Sequence, residues 1–267
     1  MISLIAIWGG AVVFLALVMG TAWIVQMRTG QGGWADVFWS YGLGVAGVGI
    51  SLFPVGPDGW SARQLVVALL IGIWGIRLGT HIARRAAGEQ EDARYARLRD
   101  EWGNAYRAKM FGFMMLQAGA ASILALAVLL AARNPSSGLG LLDYLAIAIF
   151  LVAFAGEAMA DQQLKAFKAA TTKRHQICDV GLWGWSRHPN YFFEWLTWCA
   201  WPLFAINLSG NWPWGWLAFI APLYMYWILN HVSGVPLVEA HMQRTRPEAF
   251  ANYARRTSRF FLRPPAR

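Results

Sequence analysis

The sequence predicts an all-α polytopic membrane protein with seven transmembrane helices, on three observations. The 267 residues are 57% hydrophobic and only 14% charged, whereas soluble domains carry about 25% charged residues. Seven stretches approach the roughly 20 apolar residues that a helix needs to cross a bilayer. Basic residues are concentrated in alternate loops, as expected for a chain that crosses a membrane repeatedly.

The predicted spans follow one another without an internal repeat or a linker long enough to separate two soluble domains. The second is rich in glycine, and a tight turn at residues 209–211 joins the last two. We expect spans near residues 3–25, 34–54, 62–83, 111–132, 139–160, 190–209 and 212–232. The chain is therefore expected to form a single membrane domain over residues 1–267.

The distribution of Lys and Arg predicts the orientation of these spans. With the N-terminus outside, the cytoplasmic regions hold 20 of the 23 Lys and Arg residues, and the outer loops hold only Arg63 and Arg133. Because positively charged loops stay in the cytoplasm, we expect the N-terminus outside and the C-terminus inside. This placement attributes the net charge of +9 to topology and anionic lipid rather than to nucleic acid.

Residues 181–194 are the most informative stretch of the chain. Within eight positions they carry five polar or charged side chains: Arg187, His188, Asn190, Tyr191 and Glu194. Polar groups at the mouth of a transmembrane helix are costly unless they bind something, and Pro189 suits a first helical turn. A belt of interfacial Tyr and snorkelling Arg is the alternative. Against it, Glu194 follows Asn190 by one helical turn, which favours a site for a polar, anionic ligand.

Two further charged residues fall in or near spans. Asp36 lies close to the outer part of the second span, where an acid indicates function, with a helix-start role as the alternative. Arg77 lies near the inner end of the third span, where it snorkels or reaches a phosphate or carboxamide, and Arg84 shares its face. Trp39 and Trp74 are candidates for lining an apolar substrate cavity, although most Trp residues serve packing or interfaces.

The standard sequence motifs of nucleotide-binding, metal-binding and serine-hydrolase sites are absent. The sequence has no G-x-G-x-x-G after a strand and no Walker A motif, so a bound nucleotide would not lie in a Rossmann fold. No H-E-x-x-H or Cys/His cluster indicates a metal, and no G-x-S-x-G indicates a serine hydrolase. Three cytoplasmic segments, at residues 84–109, 161–176 and 239–256, lie on the same predicted side as the motif and supply further polar residues.

The motif resembles the C-terminal signature of the steroid 5-alpha-reductase family, and most closely that of its bacterial branch. The resemblance rests on Gly181-Leu182-Trp183, Ser186-Arg187-His188-Pro189-Asn190-Tyr191 and Glu194, with Asp36-Val37-Phe38-Trp39, Ile76-Arg77-Leu78 and Glu91-Asp92-Ala93-Arg94-Tyr95 upstream. It covers most of residues 34–264. The Arg-His-Pro-Asn-Tyr core is also similar to the sterol C14 and C7 reductases and, more loosely, to isoprenylcysteine carboxyl methyltransferases.

The resemblance implies a seven-helix enzyme of the bacterial inner membrane that binds NADPH from the cytoplasmic side. Helices within residues 1–110 would line the substrate side, and residues 111–267 would supply most of the cofactor site. Asn190 and Glu194 match residues that hold the nicotinamide. The further cofactor candidates are Arg77, Arg84, Arg94, Tyr95, Asp161, Lys165, Lys168, Arg187, His188, Tyr191, Tyr253 and Arg256.

The expected reaction is reduction of the 4,5 double bond of a 3-oxo-4-ene steroid or a similar lipophilic enone. Asp36, or a water that it orients, would donate a hydrogen bond to the ketone oxygen, with Trp39 and Trp74 as substrate contacts. Trp74 stands where the family has the tyrosine that partners this acid, so the partner of Asp36 stays open. An S-adenosylmethionine-dependent methyltransferase and a non-enzymatic lipid-binding protein are the rival hypotheses, and the sequence is silent on oligomeric state.

Overall fold

A computed structural model describes residues 2–54, 59–88, 93–171 and 176–265. Within these ranges the regular structure is helical, and the only paired extended backbone is a parallel bridge between Ser186 and Ser258. The chain forms two compact units. The first contains Met1–Gly140 and Phe204–Ala218, and the second contains Leu141–Leu203 and Phe219–Arg267.

The first unit is a bundle of long apolar helices. Its described elements are α1 (Ile2–Thr29), α2 (Trp34–Leu52), α3 (Ala62–Gly88), α4 (Ala93–Trp102), α5 (Tyr106–Ala132) and the 3₁₀ segments Gly103–Ala105 and Pro213–Phe219. Helices α2 and α3 cross where two glycines meet: a Cβ on Gly75 would lie 2.8 Å from the Cα of Gly44. Small residues let helix backbones approach closely in a membrane, where apolar area alone does not drive helices together. The glycine-rich composition of the second span therefore serves helix packing.

Two arginines, Arg63 (buried) and Arg133 (half-buried), hold one end of the first unit together. Arg63 is 3% exposed and donates to the carbonyls of Asn134, Ser136 and Gly138 at 3.2, 2.8 and 2.8 Å. Arg133 donates to two carbonyls at the C-terminal end of α2, those of residues 50 and 53. Because the last carbonyls of a helix have no partner within it, such side chains satisfy groups that are costly to bury. The two arginines predicted in outer loops are thus structural ties between helix ends and loops.

The second unit contains one long helix followed by shorter ones. Its described elements are α6 (Leu141–Ala170), α7 (Leu182–Trp185), α8 (Pro189–Ala205), α9 (Ile220–Trp227), a π-helical turn (Ile228–Val232), α10 (Val235–Thr245) and α11 (Pro247–Arg256). Gly156 lets α6 approach α8, since a Cβ there would lie 2.3 Å from the ring of Phe193. Trp183 of α7 donates from its indole Nε1 to the carbonyl of Ala160 at 2.9 Å. The segment that leads into the Arg-His-Pro-Asn-Tyr motif is therefore attached directly to the end of α6.

Five helices in the described part of the chain are long and apolar enough to cross a membrane. They are Leu4–Thr29, Trp34–Leu52, Ala62–Gly88, Arg97–Ala132 and Leu141–Ala170, which coincide with the first five predicted spans. The sixth predicted span forms a helix of 17 residues, α8, about 25 Å long against a hydrocarbon core of about 30 Å. The seventh is interrupted: its 3₁₀, α-helical and π-helical pieces follow one another from Pro213 to Val232.

The interruption of the last apolar segment has a local cause. Its 3₁₀ segment packs against the end of α8 so tightly that a Cβ on Gly215 would lie 2.0 Å from the carbonyl oxygen of Ala205. Pro222 lies in the interior of the predicted span, and because it lacks an amide hydrogen it cannot complete a regular helical hydrogen-bond ladder. Hydropathy alone predicts one continuous helix here, and backbone geometry prevents it.

Candidate functional site

The Arg-His-Pro-Asn-Tyr motif forms the entrance to α8, and the C-terminal tail (residues 239–265) holds it in place. Pro189 is the first residue of α8, where its missing N–H costs least. Ser186, fully buried, donates from Oγ to the carbonyl of Phe260 and accepts from the backbone N–H of His188. The amide of Arg187 donates to the carbonyl of Ser258 at 2.8 Å, and that of Arg263 donates to the carbonyl of Trp185 at 3.1 Å. The motif is therefore fixed by residues about 70 positions later in the chain.

A largely buried carboxylate organises the motif's arginine and histidine side chains. Glu239 of α10 accepts from Nε of Arg187 at 2.8 Å and from Nε2 of His188 at 3.2 Å, both through Oε1. Arg187 also donates to the carbonyls of Ala254 and Thr257. Its guanidinium is thus engaged in joining α8, α10 and α11.

The environment shifts the pKa values within this network. Burial of Glu239 alone would raise its pKa, but the hydrogen bonds from His188 and Arg187 and the charge of Arg187 outweigh it and lower the pKa from 4.5 to about 2. His188 is 2% exposed, and this burial lowers its pKa even though Glu239 favours the charged form. Glu239 is therefore ionised and His188 neutral near pH 7. In that state Nε2–H of His188 donates to Glu239, which fixes the imidazole tautomer.

The next residues of α8 present an amide and an acid on one face. Asn190 is half-buried in the first turn, and Glu194 follows four positions later with 7% of its surface exposed. Trp198 donates from Nε1 to Oε1 of Glu194 at 2.8 Å. The ring of Tyr191 stacks on that of His188, with centroids 5.6 Å apart and planes at 6°. These contacts orient the polar groups at the start of an apolar helix.

The C-terminal end of α6 contributes further charged candidates. Gln163 accepts from the amide of Leu182 at 2.9 Å, so α6 abuts the start of α7. Asp161 is half-buried on α6, and Lys165 and Lys168 are exposed one and two turns further on. Two cations that emerge beside the motif are suited to contact phosphate groups.

Two predicted tail residues make structural contacts. The hydroxyl of Tyr253 is buried and donates to the carbonyl of Trp183 at 2.6 Å, and burial raises its pKa. Arg256 pairs with Asp179 on the loop before α7. Both contacts fasten α11 to the segment that leads into the motif.

In the first unit, the predicted substrate acid has a tyrosine partner. The hydroxyl of Tyr95, on α4, donates to Oδ1 of Asp36 in the first turn of α2 at 3.3 Å. Tyr95 is 2% exposed, and its ring lies against Gly32, where a Cβ would come within 2.2 Å. The sequence predicts Tyr95 as a cofactor residue, and the structure places its hydroxyl against Asp36.

The tryptophans near this pair form part of the helix packing. Trp39 lies one turn after Asp36, and its ring meets that of Trp74 edge-on at 6.3 Å. Trp74 is 2% exposed, and Trp39 donates from Nε1 to the carbonyl of Gln117 at 3.1 Å. The two rings form an apolar wall beside the acid.

The remaining basic candidates of the first unit lie on or after α3. Arg77 is half-buried within α3, and Arg84 is exposed near the C-terminal end of the same helix. The side chain of Arg94 lies outside the described residues. Among the residues that the structure does describe, no group of three or more His, Cys, Asp or Glu side chains could hold a metal ion.

The comparison with known families places the whole site within one family. A family model described as "Protein of unknown function (DUF1295)" matches residues 22–257. The chain belongs to this family. No curated protein and no solved structure matches the chain significantly. The range shared with the DUF1295 family includes every candidate residue from Asp36 to Arg256.

Sequence reasoning missed two acids. Glu239 lies in a basic tail, and only the fold reveals that it pairs with a motif about 50 residues earlier. Glu157 is 5% exposed within α6 and lies one helical turn before Asp161. An acid inside an apolar stretch is visible in the sequence, and an acid at that depth of a membrane helix indicates function. Glu157 therefore joins the candidates of the second unit.

Proposed function

We propose that the protein is a membrane-embedded, NADPH-dependent reductase of a conjugated enone in a lipophilic substrate, such as a 3-oxo-4-ene steroid. The observation that carries the proposal is the pair formed by Asn190 and Glu194 at the entrance of α8. The acid is buried, the amide precedes it by one turn, and the tail fixes the segment that holds them. The resemblance of this motif to steroid 5-alpha-reductases supports the same assignment.

The side chains at this entrance fit a nicotinamide carboxamide. A carboxamide offers one carbonyl acceptor and one N–H₂ donor, and an Asn beside a Glu supplies the complementary donor and acceptor. Glu194 receives one hydrogen bond from Trp198, and a carboxylate has several further acceptor positions. When bound, NADPH supplies the hydride. Asn190 and Glu194 orient the ring that carries it.

The phosphates of the cofactor require cations outside this pair. Lys165 and Lys168 are exposed at the end of α6, and Arg84 and Arg94 are the candidates after the third span. Arg187 already serves Glu239 and two carbonyls, so we assign it to positioning the motif. Guanidinium and ammonium groups match phosphate oxygens, and this favours NADPH over NADH.

At the substrate end, Asp36 and Tyr95 act on the ketone. Charge would develop on the ketone oxygen as a hydride adds to the β-carbon, and a hydrogen-bond donor there would lower the barrier. A proton from water would then add to the α-carbon of the enolate and complete the saturated ketone. The Tyr95 hydroxyl, which contacts Asp36 in the structure, turns to the ketone oxygen when substrate enters. Asp36 holds that hydroxyl, and Trp39 and Trp74 form the apolar wall.

The proposal includes a topology. Seven crossings with the N-terminus outside place the motif, the end of α6 and the tail on the cytoplasmic side of a bacterial inner membrane, where NADPH is available. A reporter fused after Arg267 then reads cytoplasmic, and one inserted at Ser136 reads outside. A cytoplasmic signal at Ser136 contradicts this arrangement.

Nucleotide titration of the purified protein in detergent tests the cofactor assignment. We expect NADPH to bind more tightly than NADH by about 1–3 kcal/mol, since several cations contact the 2′-phosphate. The preference shrinks as salt rises if those cations are exposed. Equal affinity for the two nucleotides contradicts the assignment, and tighter binding of S-adenosylmethionine supports the methyltransferase hypothesis instead. If no nucleotide binds and Asn190 and Glu194 can be replaced without loss of function, the lipid-binding hypothesis is favoured.

A further inference from the structure

A basic groove in the C-terminal tail lies outside the set of residues that the proposed reaction uses. Its volume is about 520 Å³. It lies between the end of the last apolar segment and the chain that follows α11. Its lining includes Tyr226, Asn230, His231, Phe260 and Phe261 together with the arginines described next.

The groove concentrates positive charge. Four of its described lining residues are arginines: Arg255, Arg256, Arg259 and Arg263. The described lining contains no Asp or Glu. Two acids outside the lining offset part of this charge. Asp179 pairs with Arg256, and Glu239, already bonded to Arg187, lies 3.6 Å from Arg259. Arginines stay charged at all physiological pH values, so an anion in the groove relieves their mutual repulsion.

A backbone irregularity contributes to the wall of the groove. Residues 228–232 form a π-helical turn, a geometry that often marks functional sites in helices. The carbonyl of Asn230 in this turn accepts from Arg259 at 3.4 Å. The turn therefore helps to hold one of the arginines at the groove.

The surroundings of the groove are those of a membrane–water interface. Tyr226 packs on Phe260 and Phe261, with ring centroids 5.4 and 6.2 Å away. On the same helix, Leu223 and Trp227 are 70% and 51% exposed. Aromatic rings collect at the level of lipid headgroups, and exposed apolar side chains on a membrane protein face acyl chains. Basic charge therefore lies directly beside a lipid-facing helix.

We propose that this groove binds the phosphate of an anionic phospholipid of the cytoplasmic leaflet. The arginines hold the phosphate and the negatively charged headgroup, and the acyl chains lie along the exposed face of α9. A soluble phosphate or a nucleotide shares the phosphate chemistry. The lipid is favoured because the apolar face continues the groove and offers a soluble anion nothing to contact.

Lipid binding to the purified full-length protein in neutral detergent tests this proposal. Fluorescent phosphatidylglycerol and phosphatidylcholine are titrated separately, with inorganic phosphate and NADPH as competitors. The test variant is Arg255→Gln combined with Arg263→Gln, two exposed residues that lie outside the proposed reductase site. The matched control is Arg244→Gln, an equally exposed arginine on α10 that does not line the groove.

We expect wild type and Arg244→Gln to prefer phosphatidylglycerol, and the double variant to lose roughly tenfold in affinity for each missing guanidinium. The preference should also fall with rising salt. Equal affinity of wild type for the two lipids, or an unchanged preference in the double variant, overturns the proposal. Displacement of the lipid by inorganic phosphate at matching concentration assigns the groove to a soluble anion. Displacement by NADPH, or weaker NADPH binding in the double variant, assigns it to the cofactor, and both results overturn the lipid assignment.

Discussion

Replacing Glu239 tests whether this buried acid holds the motif in place. Its side chain is 13% exposed and that of Arg187 is 11% exposed. Removing one partner of a buried ion pair costs about 3–5 kcal/mol. Arg187 keeps its hydrogen bonds to the carbonyls of Ala254 and Thr257, so its charge is not left without partners. We therefore expect a loss of about 2–4 kcal/mol for Glu239→Ala and about 1–2 kcal/mol for Glu239→Gln, which keeps an acceptor oxygen.

Amide hydrogen exchange is the assay that resolves this loss locally. The amides of Arg187 and Arg263 are bonded across the junction of motif and tail, so their exchange reports its opening. For Glu239→Gln, we expect their exchange to rise roughly 5- to 30-fold, the equivalent of the free energy above. The control is Glu248→Gln, an exposed acid in the neighbouring α11, which should change exchange there by less than about threefold.

Two results of the Glu239→Gln experiment lead to opposite conclusions. If both amides exchange at the wild-type rate in Glu239→Gln, the pair contributes nothing to docking of the tail, and the reasoning is wrong. If they exchange faster and NADPH affinity falls in parallel, the ion pair positions the motif for the cofactor.

Three further predictions follow from the same structure. Because Glu239 has a pKa of about 2 when folded and 4.5 ordinarily, its contribution is present above pH 4.5 and is lost as the pH falls toward 2. The protection of the same two amides, measured relative to an unstructured chain at the same pH, should therefore fall in that range. The lowered pKa of His188 acts in the same direction below pH 6.5, and constant protection from pH 7 to 3 would contradict both. In single-turnover reduction, Tyr95→Phe removes the donor to the ketone and should slow hydride transfer by roughly 10²–10³-fold, whereas Asp36→Leu removes the group that holds this donor and should slow the step by about tenfold. NADPH affinity should be unchanged in both variants, and wild-type rates in both would show that the pair is only a helix-end contact. Arg63→Ala should lower the stability of the protein in detergent by about 2–4 kcal/mol because three carbonyls lose their donor, with Arg63→Lys intermediate, and an unchanged melting temperature would refute the proposed tie.

The sequence predicts the long helices well because their signal is local. Each of the first five spans is a continuous apolar run, and length and hydropathy alone identify it. The last apolar segment is also a long hydrophobic run, but Pro222 and the tight contact at Gly215 divide it into three kinds of helix. Proline is visible in a sequence, whereas the close approach of Gly215 to α8 depends on packing that only the fold reveals.

The candidate site likewise has one part that the sequence predicts and another that only the fold reveals. The polar motif is recognisable because charged side chains are costly at the mouth of a membrane helix. The partners of these side chains come from distant parts of the chain, as Glu239 does for Arg187 and Tyr95 does for Asp36. No local spacing encodes such pairs. The positive-inside count likewise identifies Arg63 as an exception but gives no reason for it, and its three carbonyl acceptors supply that reason.

The most direct test of the proposed reaction follows the hydride itself. Purified wild-type protein is mixed with NADPH deuterated at the transferable position of the nicotinamide and with a 3-oxo-4-ene steroid, and the product is analysed by mass spectrometry. The reductase account predicts a saturated ketone that carries one deuterium at the former β-carbon, and a much lower yield from Glu194→Gln at the same nucleotide concentration. Product without deuterium, or equal yield from wild type and Glu194→Gln, contradicts the account.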